Sequence, residues 1–225
     1  MKKFCFVFSL LFFCLGIFGL VGCKEKTDDL SRYVSELRCE LYEGSNEKYS
    51  LKASYGYREH NYSNDGKVGN KVYTLSFRLD GKETQETTYL ITLVHDGKTY
   101  DGEFKLHPAK HSLTCAFEIK NFAEKSFTVK VGISGEQEEI TLTSIIPDGT
   151  LTYAQALEYL YKNQKSLVDS YYNADGVFTA EIYERVLVKD GKAYWYIGLA
   201  SGNGKLKALL IDGKTGDVLA TREIL

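Results

Sequence analysis

Between residues 32 and 146 the chain alternates apolar and polar side chains in eight short runs. They cover 33–42, 48–57, 71–79, 88–95, 98–106, 113–119, 126–133 and 138–145. Successive side chains on a strand point to opposite faces, so each run buries one face and wets the other. Asp80-Gly81 and Asp96-Gly97 separate runs, and such pairs tolerate the positive φ of tight hairpins. A segment so rich in short strands and turns has to close a β-core. The expectation for 32–146 is an immunoglobulin-like β-sandwich. The Cys-Trp-Cys hallmark of antibody domains is absent, because the single tryptophan is Trp195. Seventeen tyrosines and only two prolines suit a β-rich chain.

The period changes after "IIPDGT", residues 145–150, where Pro147 ends a strand and Asp148-Gly149 turn the chain. "LTYAQALEYLYKNQKSLVDSYYN" is helical: Thr152 and Gln155 have capping-box spacing, and Ala156, Leu157, Leu160, Tyr161, Leu167, Val168 and Tyr171 share a face. Four strand patterns follow at 178–188, 193–200, 205–212 and 217–224. The fold class expected is mainly β with an α+β part: a sandwich domain at 32–146, then one helix packed on a four-stranded antiparallel sheet at 148–225. In that sheet Trp195, Ile197, Leu199, Leu206, Ala208, Leu210, Val186 and Val188 should face the helix. Tyr183, Arg185, Tyr194, Tyr196 and Lys207 are then left on the open face, as candidate partner-binding residues. The competing expectations are a solvated sheet face, or a face that packs on the sandwich.

The last strand pair, "LKALLIDGKTGDVLATREI", resembles the end of a PepSY domain: an apolar strand, Asp212, the turn Lys214-Thr215-Gly216, Asp217 and the strand Val218-Leu219. The likeness covers 150–225. Gly213 departs from it, since many members carry Ala there. The resemblance implies a domain that binds or restrains other proteins, often peptidases, and it brings no catalytic residue.

Residues 1–22 begin with Lys2 and Lys3 and continue as an apolar run that ends in "FGLVGCKEK". Charged start and apolar stretch describe an export signal. Leu20-Val21-Gly22-Cys23 resembles the lipobox of bacterial lipoproteins. This implies cleavage before Cys23, lipid on its sulfur, and a body outside the cytoplasm held to the membrane by acyl chains. Residues 23–31 then form a polar tether. Of five cysteines, Cys5 and Cys14 leave with the signal and Cys23 carries lipid. Cys39 and Cys115 remain, each in phase with core residues, either bridged or as two separate buried thiols. Without Lys2 and Lys3, 26 basic residues stand against 30 acidic, a net charge of −4. That balance gives no basic field for nucleic acid.

The chemistry-bearing motifs read as structural. His107, His111 and Cys115 recur every four residues, but Pro108 and the alternation of "LTCAFEI" argue against the helix a zinc site would need. Five Asp-Gly-Lys triplets are hairpin turns rather than calcium loops. "ASGNGK", 200–205, precedes a strand rather than a phosphate-binding helix. The Tyr-, Ser- and Asn-rich stretch 43–67 reads as a sandwich edge and a polar loop. The function expected is a lipid-anchored, non-catalytic module without a cofactor. It would bind an extracytoplasmic protein, a peptidase by the PepSY resemblance; a small-ligand or glycan receptor subunit is the alternative. Cys23→Ala is expected to abolish incorporation of a fatty-acid probe, and a labelled variant would contradict lipidation at this thiol.

Overall fold

The computed structural model describes residues 29–59, 69–80, 87–107, 112–202 and 204–224. The signal segment, Cys23, most of the tether, His60, Pro108 and His111 lie outside them. The elements in order are β1 (Val34–Ser45), β2 (Ser50–Glu59), β3 (Lys71–Asp80), β4 (Leu90–His95), β5 (Lys98–Glu103), β6 (Lys105–His107), β7 (Ser112–Glu118), β8 (Ser126–Ile133) and β9 (Glu136–Ser144). Helices α1 (Tyr153–Asn163) and α2 (Lys165–Asp169) follow, then β10 (Ala180–Lys189), β11 (Lys192–Ser201), β12 (Leu206–Asp212) and β13 (Val218–Ile224). The expected strand at 98–106 divides at Phe104. This residue is fully buried, and its N–H donates to Tyr89 O at 2.9 Å as the chain passes from β5, paired with β4, to β6, paired with β7.

The architecture differs from the one expected. The thirteen strands form one continuous curled sheet, not an immunoglobulin-like sandwich followed by a separate helix on four strands. One path runs β13-β12-β11-β10-β1-β2-β3-β7-β6, and a wing of β9, β8, β4 and β5 branches from β1. The cause is the long first strand. Along one edge β1 pairs with β2 from Glu36 to Ser45. Its other edge is divided: Val34 to Arg38 pair with β10 in parallel, and Tyr42 and Glu43 pair with β9 antiparallel. The register shifts between Arg38 and Glu40, a bulge at Cys39. A bulge bends the strand and sharpens its twist, which lets one strand serve two neighbours in sequence. A free-standing sheet would leave the β10 edge unpaired; here β1 takes it.

Two hydrophobic clusters fill the curl. One joins Leu37 and Tyr57 to Leu160, Trp195, Ile197 and Leu209, beneath α1. The other joins Leu51 and Phe77 to Leu93, Val131 and Leu142 of the wing, with Phe104. Cys39 and Tyr73 pack against both. The tether ends earlier than expected: Asp29 caps a short 3-10 turn over Leu30–Tyr33, and Leu30 is already buried in the first cluster.

Eleven residues are too few for a helix to persist alone in water, so α1 depends on its caps and on Ala156, Leu157 and Leu160, all buried. Thr152 Oγ1 accepts from Gln155 N–H at 3.3 Å, and Gln155 Oε1 accepts from Thr152 N–H at 2.9 Å. Trp195 Nε1 donates to Leu151 O at 3.0 Å, and Asn163 Nδ2 donates to Gly216 O at 3.1 Å, tying both helix ends to the sheet. The "DGKTGD" turn is built for this contact. Asp212 Oδ1 accepts from the Lys214 and Thr215 N–H groups at 2.8 and 2.9 Å. Gly216 has φ +75°, and a Cβ there would lie 2.3 Å from the Tyr159 ring. At Gly213 a Cβ would meet Ala193 O at 2.5 Å, so the close approach of the two backbones leaves no room for a side chain there.

The seam between β1 and β10 predicts how the chain comes apart. Val34 and Leu37 are buried against residues beyond 150, and their burial is worth roughly 3–6 kcal/mol. That equals the whole stability a core of this size supplies, about 3–5 kcal/mol. Residues 148–225 expressed alone are therefore expected to give no cooperative thermal transition. A sharp melt of that fragment would show that it does not need β1.

Candidate functional site

On the side of the sheet away from α1, one row of side chains crosses four strands. Arg38 of β1 stands beside Arg185 of β10, Arg185 opposite Tyr196 of β11, and Tyr196 opposite Leu210 of β12. Neighbouring rows carry Glu36 and Tyr183 on one flank, and Leu187 and Tyr194 on the other. The fold thus gathers Tyr183, Arg185, Tyr194 and Tyr196 on a single face.

Lys207 does not join them. It lies opposite Leu199, on the helix side, with its Nζ 3.8 Å from Glu223 Oε2. The phase of β12 is one residue from the expected one. Leu209 and Ile211 enter the core, whereas Leu206, Ala208 and Leu210 face away from the helix. "LKALLID" carries apolar residues in both phases, so alternation cannot choose between them. The turn chooses: Ser201 N–H donates to Lys205 O, and Gly204 N–H donates to Ser201 O, both at 3.0 Å.

Arg185 is committed within the chain. Its Nε and Nη2 donate to the two carboxylate oxygens of Glu36, each at 2.9 Å, in a fork that spans the parallel seam. Such bidentate pairs fix geometry as well as adding energy. Tyr183 OH donates to Glu181 Oε2 at 3.2 Å. Arg38 is different. It makes no ion pair among the described residues, and burial, then the charge of Arg185, pulls its pKa down, with Glu36 opposing. The face therefore holds a half-buried cation, and Glu36, the acid whose charge acts on it, is already engaged by Arg185.

On the helix side sits a group that the sequence reasoning missed. Glu184 lies beside Leu37 and opposite Ile197, with no exposed surface and, among the described residues, no hydrogen-bond partner for either carboxylate oxygen. Desolvation pushes its pKa well above the ordinary value. The signal was its phase: Glu184 alternates in step with Val186 and Val188. An acid closed off from water in this way has no reach to a substrate.

Among the described residues the two thiols are both free. Cys39 sits at the bulge, its Sγ 3.8 Å from Tyr55 O, and its pKa is pushed up to about 12 by burial first and then by Glu40. Burial also raises Cys115. The strand order β1-β2-β3-β7 puts three strand spacings, about 14 Å, between their strands. A bridge needs Cα atoms within about 7 Å, so these are two separate thiols with little thiolate character. Among the described residues no group of three or more His, Cys, Asp or Glu could hold a metal ion, and no helix is long and apolar enough to cross a membrane.

Comparisons with protein-family models, curated proteins and solved structures give no match for this chain.

Glu184 gives the site a pH signature. Below about pH 4.5 the carboxyl is neutral in folded and unfolded chains alike, so it contributes no pH dependence. Above that value the unfolded chain ionises while the folded chain keeps its proton. Stability then falls as pH rises, by up to about tenfold in the folding equilibrium per unit, until the raised folded pKa is passed. Glu184→Leu is expected to stabilise the chain by roughly 1–3 kcal/mol near neutrality, with the gain over wild type widening as the pH rises above the ordinary carboxyl range in urea melts. Parallel curves for the two proteins would contradict the assignment.

Proposed function

We propose that this chain is a lipid-anchored extracytoplasmic module that binds another protein through the sheet face away from α1, without catalysing a reaction. The row Arg38, Arg185, Tyr196, Leu210, flanked by Tyr183, Tyr194 and Leu187, carries this reading. Tyrosine and arginine dominate binding hot spots because they combine large contact area with directional polar ends. Arg38 supplies the selectivity: a half-buried guanidinium without its own counter-ion favours a partner that brings a carboxylate. The lipobox-like Leu20-Val21-Gly22-Cys23 supports the anchored location, and the PepSY-like ending supports a peptidase of the cell envelope as the partner.

The test is recovery of a crosslinked partner by the mature chain, compared with a variant of the face. Tyr194→Ala is expected to weaken recovery about tenfold, the usual effect of losing ~1–2 kcal/mol at a hot spot. The thermal melt should move little. Undiminished recovery by a folded variant would remove this face from the function.

A further inference from the structure

A cavity of about 540 Å³ opens where the start of β3, the β4–β5 hairpin and the end of β7 meet. Its volume lies in the range of small-molecule sites. It shares no residue with the face described above. Three lysines line it, Lys71, Lys98 and Lys120. None forms an ion pair among the described residues. Lys71 is partly desolvated. Its Nζ donates to the neutral Tyr57 hydroxyl at 3.1 Å and lies 4.3 Å from the centroid of that ring; burial draws its pKa down, against the charge of Glu59, which stands opposite it on β2. His95 is the fourth polar group. Its side chain is 9% exposed, and Nε2 is buried without a hydrogen bond among the described residues, with Asp96 Oδ2 3.5 Å away. Asp96 and Glu118 also border the cavity, so three lysines outweigh two carboxylates. Tyr73, Tyr100 and Ile119 add apolar surface for the body of a ligand.

We propose that this cavity binds a small, freely diffusing oxyanion, a molecule bearing phosphate or carboxylate groups, held by Lys71, Lys98 and Lys120 with His95 donating from Nε2. An oxyanion adds negative charge beside the desolvated Lys71 beyond that of Glu59, joins two lysines that form no ion pair among the described residues, and supplies an acceptor to a buried imidazole nitrogen. Ammonium groups act as point charges and do not choose between phosphate and carboxylate. The apolar walls favour an organic anion over an inorganic one.

The experiment titrates the full chain with inorganic phosphate, with citrate, and with sodium chloride at matched ionic strength, following the His95 ring resonances by NMR. A parallel arm uses vesicles containing phosphatidylglycerol. Saturable shifts with phosphate or citrate, absent with chloride, are expected. The double variant Lys98→Gln, Lys120→Gln should bind the same anions at least about tenfold more weakly. Both side chains are exposed and form no ion pair among the described residues, so the thermal melt of the variant should match wild type. No saturable shift with either anion would overturn the proposal. So would equal affinity in the double variant, or a response to vesicles without a response to free anions.

Discussion

The parallel pairing of β1 with β10 is the interaction on which the remaining structure depends. Four β1 residues, Val34, Glu36, Leu37 and Arg38, register against Ile182 to Arg185, and this contact turns two runs of strands into one sheet. Beyond the bulge at Cys39 the same edge of β1 turns to β9 and starts the wing that covers the second cluster. Neither core closes without this strand. Leu37 lies under the helix, Tyr42 lies under the wing, and Cys39 touches both clusters. Parallel pairs are slightly less stable per residue than antiparallel ones, so the seam relies on its side chains.

Those side chains divide by face. Outward, the Glu36–Arg185 fork fixes the register with two charge-assisted hydrogen bonds. A one-residue slip would break it and would exchange the buried and exposed sets of the whole strand. Inward, Glu184 stands against Leu37 and Ile197 as an acid held neutral by burial, a cost that apolar contacts around it must offset. The proposed binding face and the fold therefore share residues: Arg185 serves the seam, and it leaves Arg38 as the cation free to meet a partner.

Much of this was legible in the sequence because it is local. Strand spans follow from period-2 alternation and from Asp-Gly turns, and the runs foreseen for β3, β8 and β12 lie within a residue or so of their observed bounds. The α1 capping box was legible because Thr152 and Gln155 lie three apart. What alternation cannot report is which edge pairs with which. Residues 34 and 182 are far apart along the chain, and no pattern in either announces the other, so the continuous sheet was read as two units. The phase of β12 was hidden because "LKALLID" is apolar in both registers, which misplaced Lys207. Glu184 was readable from its step with Val186 and Val188, although an acid in a core phase argues against the pattern that contains it. Tyr183, Arg185, Tyr194 and Tyr196 were placed together because β10 and β11 alternate cleanly.

Native-state hydrogen exchange measures the central claim, that β1 joins both halves into one unit. If it does, the slowest amides of β2, β10 and β11 should share one opening free energy equal to that of global unfolding, and should lose protection together as denaturant is added. Protection of β10 and β11 that fails at a lower free energy than that of β2, in a separate step, would contradict a single unit built on the seam.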